Sequence, residues 1–229
     1  MPDLARPCET HPDLVDFNYA LPHLTESLER QRKTRIVTIG SSSTAGVDRI
    51  LPYPYRLEMI LRQRFYGRMI DVINRGIGGQ EAPEELSRFE PDVIDEAPSL
   101  VIWQVGTNAV FRKLDYNFDE VSAAIAVGLD WLACLPMDVV LMDLQYTRAL
   151  VGSDKIGFSE DMVSRVSAAG EKAGVNVFHR FALMRRWVQD KIPIEELDDG
   201  SQLHTSEWAT ACVTQALVGS IVGAPEATG

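Results

Sequence analysis

Two kinds of apolar pattern alternate along the chain. Short runs rich in β-branched residues show no polar alternation, which is typical of strands that are buried on both faces. Longer segments repeat apolar residues with the spacing of amphipathic helices. Strands are predicted at 35–42, 69–76, 99–106, 138–146 and 175–180. Helices are predicted at 54–65, 83–95, 119–135, 159–174, 181–191 and 206–223.

The order of these elements predicts an α/β fold. Strands that are separated by helices pair in parallel, and the crossing helices cover both faces of the sheet. No repeat or linker divides the chain, so we predict one three-layer α/β/α domain over residues 34–229. Residues 1–33, with scattered prolines and a polar helical run, are predicted to form a leader that packs on this domain. Ligands of such sheets bind beyond the carboxyl ends of the strands.

Composition and charge narrow the classes of partner. The 229 residues include 22 Lys and Arg against 33 Asp and Glu, which gives a formal net charge of −11. An acidic protein does not attract a phosphate backbone, so we predict no nucleic-acid partner. No apolar run approaches the ~20 residues of a membrane span, and the first residues lack the pattern of a signal peptide. We therefore predict a cytoplasmic monomer or weak oligomer, with export as the alternative if a signal peptide precedes this sequence.

The three cysteines do not indicate a metal site. Cys8, Cys134 and Cys212 share no CxxC spacing, so no metal is predicted. Cys134 lies in an apolar helical stretch and is predicted to be buried. Cys8 and Cys212 lie near the two ends of the chain, which often lie close together in a compact domain. Free thiols are the more common arrangement of such cysteines, and a disulfide between the two is the alternative.

Hydroxyl side chains follow the first predicted strand, in the segment GSSSTAG at 40–46. A strand that turns into a helix offers free N–H groups and the positive end of a helix dipole, which favour an oxyanion. A turn that satisfies its own backbone is the alternative for this segment taken alone. The segment is not a P-loop, because it has no lysine. It is not the GxSxG elbow either, because Thr44 stands where the second glycine would be.

A glycine-rich turn, NRGIGG at 74–79, follows the second predicted strand. Glycine permits positive φ and close backbone approach, so that an N–H can point into a site. The spacing does not fit a dinucleotide fingerprint, because Glu81 occupies the position of the third glycine. A flexible turn between strand and helix is the alternative.

Two further polar residues lie at predicted strand or helix ends. Asn108, in GTNA at 106–109, can donate a hydrogen bond into the cleft or cap its own loop. His204 lies in a polar loop at 198–206 before the last helix, where it is accessible. A loop histidine acts as a general base only if a nucleophile lies within hydrogen-bond reach.

These four segments, in this order, resemble the sequence blocks of the SGNH hydrolases, also called the GDSL esterase/lipase family. The resemblance runs from about residue 35 to the C-terminus. It implies a flavodoxin-like parallel five-stranded sheet, with Ser42 as nucleophile and His204 as base. It also implies an oxyanion hole formed by the N–H groups of Ser42 and Gly79 and by the side chain of Asn108. No metal or organic cofactor is implied.

Two departures from the family pattern lie outside the catalytic triad. Ser41 replaces the Asp of the first block, and Ala109 replaces the Asp of the third block. We expect these changes to alter the support of the loops rather than the chemistry.

A third departure concerns the residue that orients the histidine. Ser201 stands where the family has an Asp, three residues before the histidine. We predict that Asp199 takes over this role, because Gly200 lets the loop fold back toward His204. Asp198, a Ser–His dyad with Ser201 as a weak orienter, and a solvated acidic loop are the alternatives.

The predicted reaction is hydrolysis of carboxylic esters, with small acyl or O-acetyl esters, including those of carbohydrates, as substrates. Gln145 and Tyr146 follow the fourth predicted strand and are candidates for lining the substrate pocket. A catalytically impaired binding module for acylated ligands on the same fold is the first alternative. A nucleotide-binding domain, suggested by the glycines of 74–79, is the second.

Overall fold

The computed structural model describes residues 6–47 and 49–226. Its strands are β1 Lys33–Gly40, β2 Met69–Gly76, β3 Leu100–Gln104, β4 Asp138–Met142 and β5 Asn176–Phe178. Its helices are α1 Pro12–Val15, α2 Pro22–Arg30, α3 Ser42–Ala45, α4 Tyr53–Arg64, α5 Ala82–Leu86, α6 Thr107–Phe111, α7 Phe118–Leu132, α8 Arg148–Val151, α9 Ile156–Ala173, α10 Arg180–Gln189 and α11 Glu207–Val222. A π-helical turn at Glu90–Ile94 and a 3-10 turn at Ile194–Glu196 are also present.

The five strands form a single parallel sheet in the order β2-β1-β3-β4-β5. This is the flavodoxin-like order, in which the chain winds outward in both directions from β1. The predicted α/β class and parallel five-stranded sheet are therefore confirmed. The order places the carboxyl ends of β1 and β3 side by side, so the segments that follow them meet at the switch point where ligands bind.

The apolar strands serve two hydrophobic cores, one on each face of the sheet. Successive side chains of a strand point to opposite faces, so a continuous apolar run supplies both cores. One face buries strand residues against α2, α4, α10 and α11, among them Ile36, Leu100, Ile102, Val140 and Met142. The other face buries strand residues against α7 and α9, among them Val37, Ile39, Val101, Trp103 and Leu141.

The segment before β1 packs against the sheet through apolar and polar contacts. Val15, Phe17 and Leu21 are buried in the first of these cores. The side-chain oxygen of Asn176 accepts hydrogen bonds from the N–H groups of Asn18 and Tyr19, at 3.0 and 2.9 Å. Residues 1–5 of the predicted leader, and residues 227–229 of the predicted domain, lie outside the described residues.

Two predicted helices end early at prolines. The helix predicted at 83–95 is split into α5 and the π-helical turn, because Pro91 has no N–H to donate within a helix. The helix predicted at 119–135 ends at Leu132, since the residue before Pro136 is biased away from helical angles. Cys134 therefore lies in a turn and is exposed, and the prediction that it is buried was wrong.

The other two cysteines are joined. Cys8 and Cys212 form a disulfide across 204 positions of the chain, so the expectation of free thiols at these positions was wrong. The bond ties the N-terminal segment to α11, where Cys212 is buried. Within the described residues, no helix is long and apolar enough to cross a membrane. The same residues contain no cluster of three or more His, Cys, Asp or Glu side chains suited to hold a metal ion.

Candidate active site

The turn after β1 leaves one serine hydroxyl for the cleft. A Cβ at Gly40 would lie 2.5 Å from the Thr44 hydroxyl oxygen, so only glycine fits at the end of the strand. The Oε1 atom of Gln104 accepts hydrogen bonds from the N–H and Oγ of Ser41, at 3.1 and 3.0 Å, and from the Thr44 hydroxyl at 3.3 Å. Ser42 follows as the first residue of α3, where its N–H has no acceptor within the helix.

The structure brings Ser42 and His204 together. The Oγ atom of Ser42 lies 3.0 Å from the Nε2 atom of His204, although the two residues are 162 positions apart in the chain. The His204 side chain is 19% exposed, so the pair is open to a substrate. A hydroxyl within hydrogen-bond reach of an imidazole is the geometry of a nucleophile and its general base.

Asp198 is occupied elsewhere. The Arg148 guanidinium donates two hydrogen bonds to its carboxylate, at 2.7 and 2.8 Å. Burial acts to raise the pKa of Asp198, but the Arg148 guanidinium and the Gly200 N–H hold that pKa below its ordinary value. A backbone bridge between Asp198 and Thr205 closes the base of the loop. Asp198 thus anchors the loop of His204, and its carboxylate does not face the imidazole.

Asp199 and Ser201 share the other side of the imidazole. The Oγ atom of Ser201 lies 3.3 Å from the Nδ1 atom of His204. The nearest carboxylate oxygen of Asp199 lies 4.0 Å from the same nitrogen, which is beyond hydrogen-bond distance. Asp199 accepts hydrogen bonds from both the N–H and the hydroxyl of Ser201. The predicted orienter is therefore close to His204, with the Ser201 hydroxyl placed between them.

Gln145 does not line an open pocket. Its side chain is fully buried, its Nε2 donates to the backbone oxygen of Leu203 at 3.0 Å, and its Oε1 accepts from the Thr107 hydroxyl at 2.9 Å. These contacts hold the chain beside His204, so the predicted substrate contact of Gln145 is not observed and stays a prediction. Tyr146 is half-buried and packs edge-on against the ring of Phe181, with centroids 5.0 Å apart. The substrate contact of Tyr146 stays a prediction.

The candidate oxyanion donors are linked to Ser42 through the glycine turn. A Cβ at Gly78 would lie 3.8 Å from the Cβ of Ser42, so the turn passes directly beside the serine. The next residue, Gly79, has a φ of +83°, a conformation that favours glycine. The Nδ2 atom of Asn108 donates to the backbone oxygen of Gln80 at 2.7 Å. An amide nitrogen carries two hydrogens, so Asn108 keeps one for an oxyanion.

Glu81 joins these segments, and its role was missed from the sequence. One carboxylate oxygen accepts from the N–H of Gly106 at 2.7 Å and of Ala82 at 3.0 Å, and the other accepts from Ala109 at 2.9 Å. Burial raises the pKa of Glu81, and these N–H groups oppose the shift. The available signal was a capping box, in which Glu81 and Glu84 cap the start of α5.

The fold and site together define a class. A parallel sheet in flavodoxin-like order, with a serine and a histidine in contact at its carboxyl edge, is the arrangement of SGNH-type hydrolases. The chain belongs to the non-GDSL lipase-like family, whose sequence profile matches residues 7–226. The predicted resemblance to SGNH hydrolases, and the predicted class of carboxylic ester hydrolase, are confirmed at this level.

Two individual proteins are similar to this chain, one in sequence and one in structure. An uncharacterized lipoprotein YqeF of Bacillus subtilis (strain 168) is 31% identical over 93 residues, which are 39% of this chain. The chain covers 38% of that relative's length. The acetylxylan esterase Axe2 of Geobacillus stearothermophilus is similar in structure, with a TM-score of 0.72, 20% identity, and coverage of 82% of this chain and 94% of Axe2. Structures are also known for three variants described as catalytic mutants of Axe2, in which a serine, an aspartate or a histidine is replaced by alanine.

A second structure shows the same fold. LAE5, described as an alpha/beta hydrolase from the metagenome of Lake Arreo, Spain, gives a TM-score of 0.72 at 17% identity. The similarity covers 84% of this chain and 97% of LAE5. At these identities the two structures show a shared fold, which agrees with the parallel sheet described above.

Proposed function

We propose that the protein is a serine esterase that removes small acyl groups, with O-acetyl esters of carbohydrates as its substrate class. The observation that carries this proposal is the 3.0 Å contact between Ser42 Oγ and His204 Nε2 at the carboxyl edge of the sheet. The likeness to Axe2, an acetylxylan esterase, supports an acetylated carbohydrate as substrate.

In the first half of the reaction, Ser42 Oγ attacks the ester carbonyl carbon and its proton passes to His204 Nε2. The carbonyl oxygen becomes an oxyanion, which the N–H groups of Ser42 and Gly79 and the free amide hydrogen of Asn108 stabilise. The carbon–oxygen bond to the alcohol then breaks. His204 gives its proton to the departing alkoxide, which leaves as the alcohol.

In the second half, water replaces the alcohol. His204 takes one proton from this water, and the resulting hydroxide attacks the acyl carbon attached to Ser42. The same donors hold the second oxyanion. When the bond to Ser42 Oγ breaks, His204 returns the proton to that oxygen, and the carboxylic acid is released.

A substrate panel with two matched serine variants tests the proposal. The panel contains acetylated xylooligosaccharides and p-nitrophenyl esters of increasing acyl length. We expect Ser42→Ala to lower kcat/KM by several orders of magnitude, while Ser43→Ala, which removes a buried hydroxyl of the same turn, keeps most activity. Full activity of Ser42→Ala would contradict the proposal. Binding of the acetylated ligand without turnover by the wild-type protein would instead favour the binding-module alternative, which the serine at position 201 motivates.

The compartment is a separate part of the proposal. Disulfides persist in oxidising compartments and are rare in the cytosol, so the Cys8–Cys212 bond favours export over the predicted cytoplasmic location. The experiment is thiol quantification of the unfolded protein after purification without reductant. One reactive thiol, that of Cys134, is expected. Three reactive thiols would restore the cytoplasmic prediction.

A further inference from the structure

In the loop of His204, a serine hydroxyl lies between the imidazole and the nearest carboxylate, so the aspartate does not contact the histidine directly. The Oγ atom of Ser201 lies 3.3 Å from the Nδ1 atom of His204, and the same hydroxyl donates to Oδ1 of Asp199. The Asp199 side chain is only 8% exposed, so its carboxylate is shielded from water and depends on the loop for its partners. Asp199 and His204 thus face each other across one serine oxygen.

The neighbours of this hydroxyl fix the direction of its hydrogen bonds. The N–H groups of Leu203 and His204 both point at Ser201 Oγ, each at 3.2 Å. These groups are donors only, so they can share the two lone pairs of the oxygen with another donor, but they cannot accept its single hydrogen. The Asp199 carboxylate can only accept, and it lies closer to this hydroxyl than the imidazole nitrogen does, so it takes the hydrogen. The remaining contact, to His204 Nδ1, therefore has the imidazole N–H as donor.

We propose that Ser201 and Asp199 form a relay that orients His204 through the serine hydroxyl. The hydrogen bonds run from His204 Nδ1–H to Ser201 Oγ, and from Ser201 Oγ–H to the Asp199 carboxylate. This order holds neutral His204 in the tautomer whose Nε2 is free to accept the proton of Ser42. The inference rests on the proposed function, because it assigns positioning residues to the same site.

The relay acts by charge rather than by proton transfer. When Ser42 Oγ bonds to the acyl carbon, its proton moves to His204 Nε2, and His204 becomes an imidazolium. The proton on Nδ1 stays on Nδ1, and the hydroxyl hydrogen stays on Ser201. The Asp199 carboxylate polarises the hydroxyl toward the imidazole, because hydrogen bonds in a chain strengthen one another. The positive charge on His204 is stabilised without protonation of Asp199.

Three single variants test the relay. Ser201→Ala removes the bridging oxygen, and Asp199→Asn keeps its size but removes the charge. We expect each to lower kcat by about 10²-fold, with little change in KM, because neither side chain contacts the substrate. Ser201→Thr keeps the hydroxyl and has room for its methyl group at this exposed position, so it should retain most of kcat. Glu195→Gln, which removes an exposed charge from the preceding turn, is the matched control and should be silent.

A rescue separates the relay from a structural role of Asp199. In the Asp199→Asn background, Ser201→Asp places a carboxylate directly beside Nδ1 of His204. We expect this double variant to recover at least tenfold of the lost kcat, with KM close to that of the wild type. A residue that only shapes the loop would not be replaced in this way, so absence of recovery overturns the relay.

Failure of the relay is distinguishable from failure of the proposed function. If Ser42→Ala abolishes activity while Ser201→Ala and Asp199→Asn stay within twofold of wild type, the esterase proposal stands and the relay is overturned. If Ser42→Ala is fully active, the proposed function fails and the relay fails with it.

Discussion

Ser42 lies between two regions of the molecule that are held in place in different ways. On the side of the proposed nucleophile and oxyanion donors, the turns after β1, β2 and β3 are tied by the buried side chains of Gln104 and Glu81. On the side of the proposed base, His204 is carried by a loop at 198–206, whose tip, including Ser201, is exposed.

Because of this difference, we expect mutations in the two regions to affect stability and activity differently. A buried side chain that satisfies several N–H groups leaves them unpaired when it is removed, so the fold loses stability together with the site. An exposed loop hydroxyl or imidazole can be removed while water takes its place. We therefore expect changes on the nucleophile side to lower both stability and activity, and changes at the tip of the histidine loop to lower activity alone.

The largest effect is expected for His204→Gln. Without the base, Ser42 keeps its proton, and kcat/KM should fall by about 10⁴-fold or more. The melting temperature should stay close to that of the wild type, because the His204 side chain is partly exposed. Steady-state kinetics and calorimetry on the same sample provide the check. A large fall in melting temperature would contradict the expectation that changes in the histidine loop lower activity alone.

The second-largest effect on activity is expected for Asn108→Ala. Loss of one oxyanion donor typically costs 10²–10³-fold in kcat, or about 3 kcal/mol of barrier. Asn108 is nearly buried and also donates to the backbone oxygen of Gln80, so a modest fall in melting temperature should accompany the loss. Kinetics and thermal melting of Asn108→Ala and Asn108→Asp measure both effects. If kcat is unchanged in both variants, Asn108 is not an oxyanion donor.

Glu81→Ala tests most directly whether mutations on the side of Ser42 lower the stability of the fold. The substitution leaves the N–H groups of Ala82, Gly106 and Ala109 without their acceptor. At ~1 kcal/mol or more for each unpaired group, the free energy of unfolding should fall by about 3 kcal/mol, and kcat should fall as the oxyanion donors loosen. Denaturant unfolding measures the first quantity. Glu90→Ala, at an exposed position of the next turn, is the control, and an equal effect there would refute this role.

The smallest effect concerns Glu85, which accepts a hydrogen bond from the Trp103 indole at 2.7 Å. Burial, and secondarily the neighbouring Glu81, raise the pKa of Glu85 well above its ordinary value of 4.5. The folded protein therefore binds this proton more tightly than the unfolded chain. Stability from this group is greatest below pH 4.5 and falls as the pH rises toward the pKa of the folded state.

Glu85→Gln removes this titration and keeps an acceptor for the indole. The variant should melt above the wild type at pH 8, by about 2–4 °C, and the difference should shrink as the pH approaches 5. Melting curves of both proteins from pH 5 to 8 measure it. A constant difference in melting temperature across this range would show that protonation of Glu85 is not linked to folding.

The fold was predictable from the sequence where apolar runs have clear boundaries. The strand at 69–76 was predicted with the bounds of β2, because an apolar run ends there at a glycine turn. The strand predicted at 138–146 stops at Met142, since the chain beyond it is drawn into side-chain contacts, such as that of Gln145 with Leu203. Such contacts join residues that are distant in sequence, which local patterns do not encode.

The residues of the candidate site were predictable to a similar extent. The limit was again the contacts between residues that are distant in sequence. Ser42 and His204 were predicted from the order of the sequence blocks, and the structure places their side chains in contact. Glu81 and Gln104 were missed because their partners are backbone and hydroxyl groups of other turns. The position of Ser201 between Asp199 and His204 also depends on how the loop closes, which the spacing of the residues alone does not determine.

Reaction with a fluorophosphonate probe tests most directly whether Ser42 is an activated nucleophile. The probe labels only a serine whose proton can be removed by a neighbouring base. Intact-mass spectrometry of the wild-type protein should show one adduct per chain, and peptide mapping should place it on Ser42. Ser42→Ala should carry no adduct, and His204→Gln should react much more slowly. An unlabelled wild-type protein, or an adduct on another residue, would contradict the proposed mechanism.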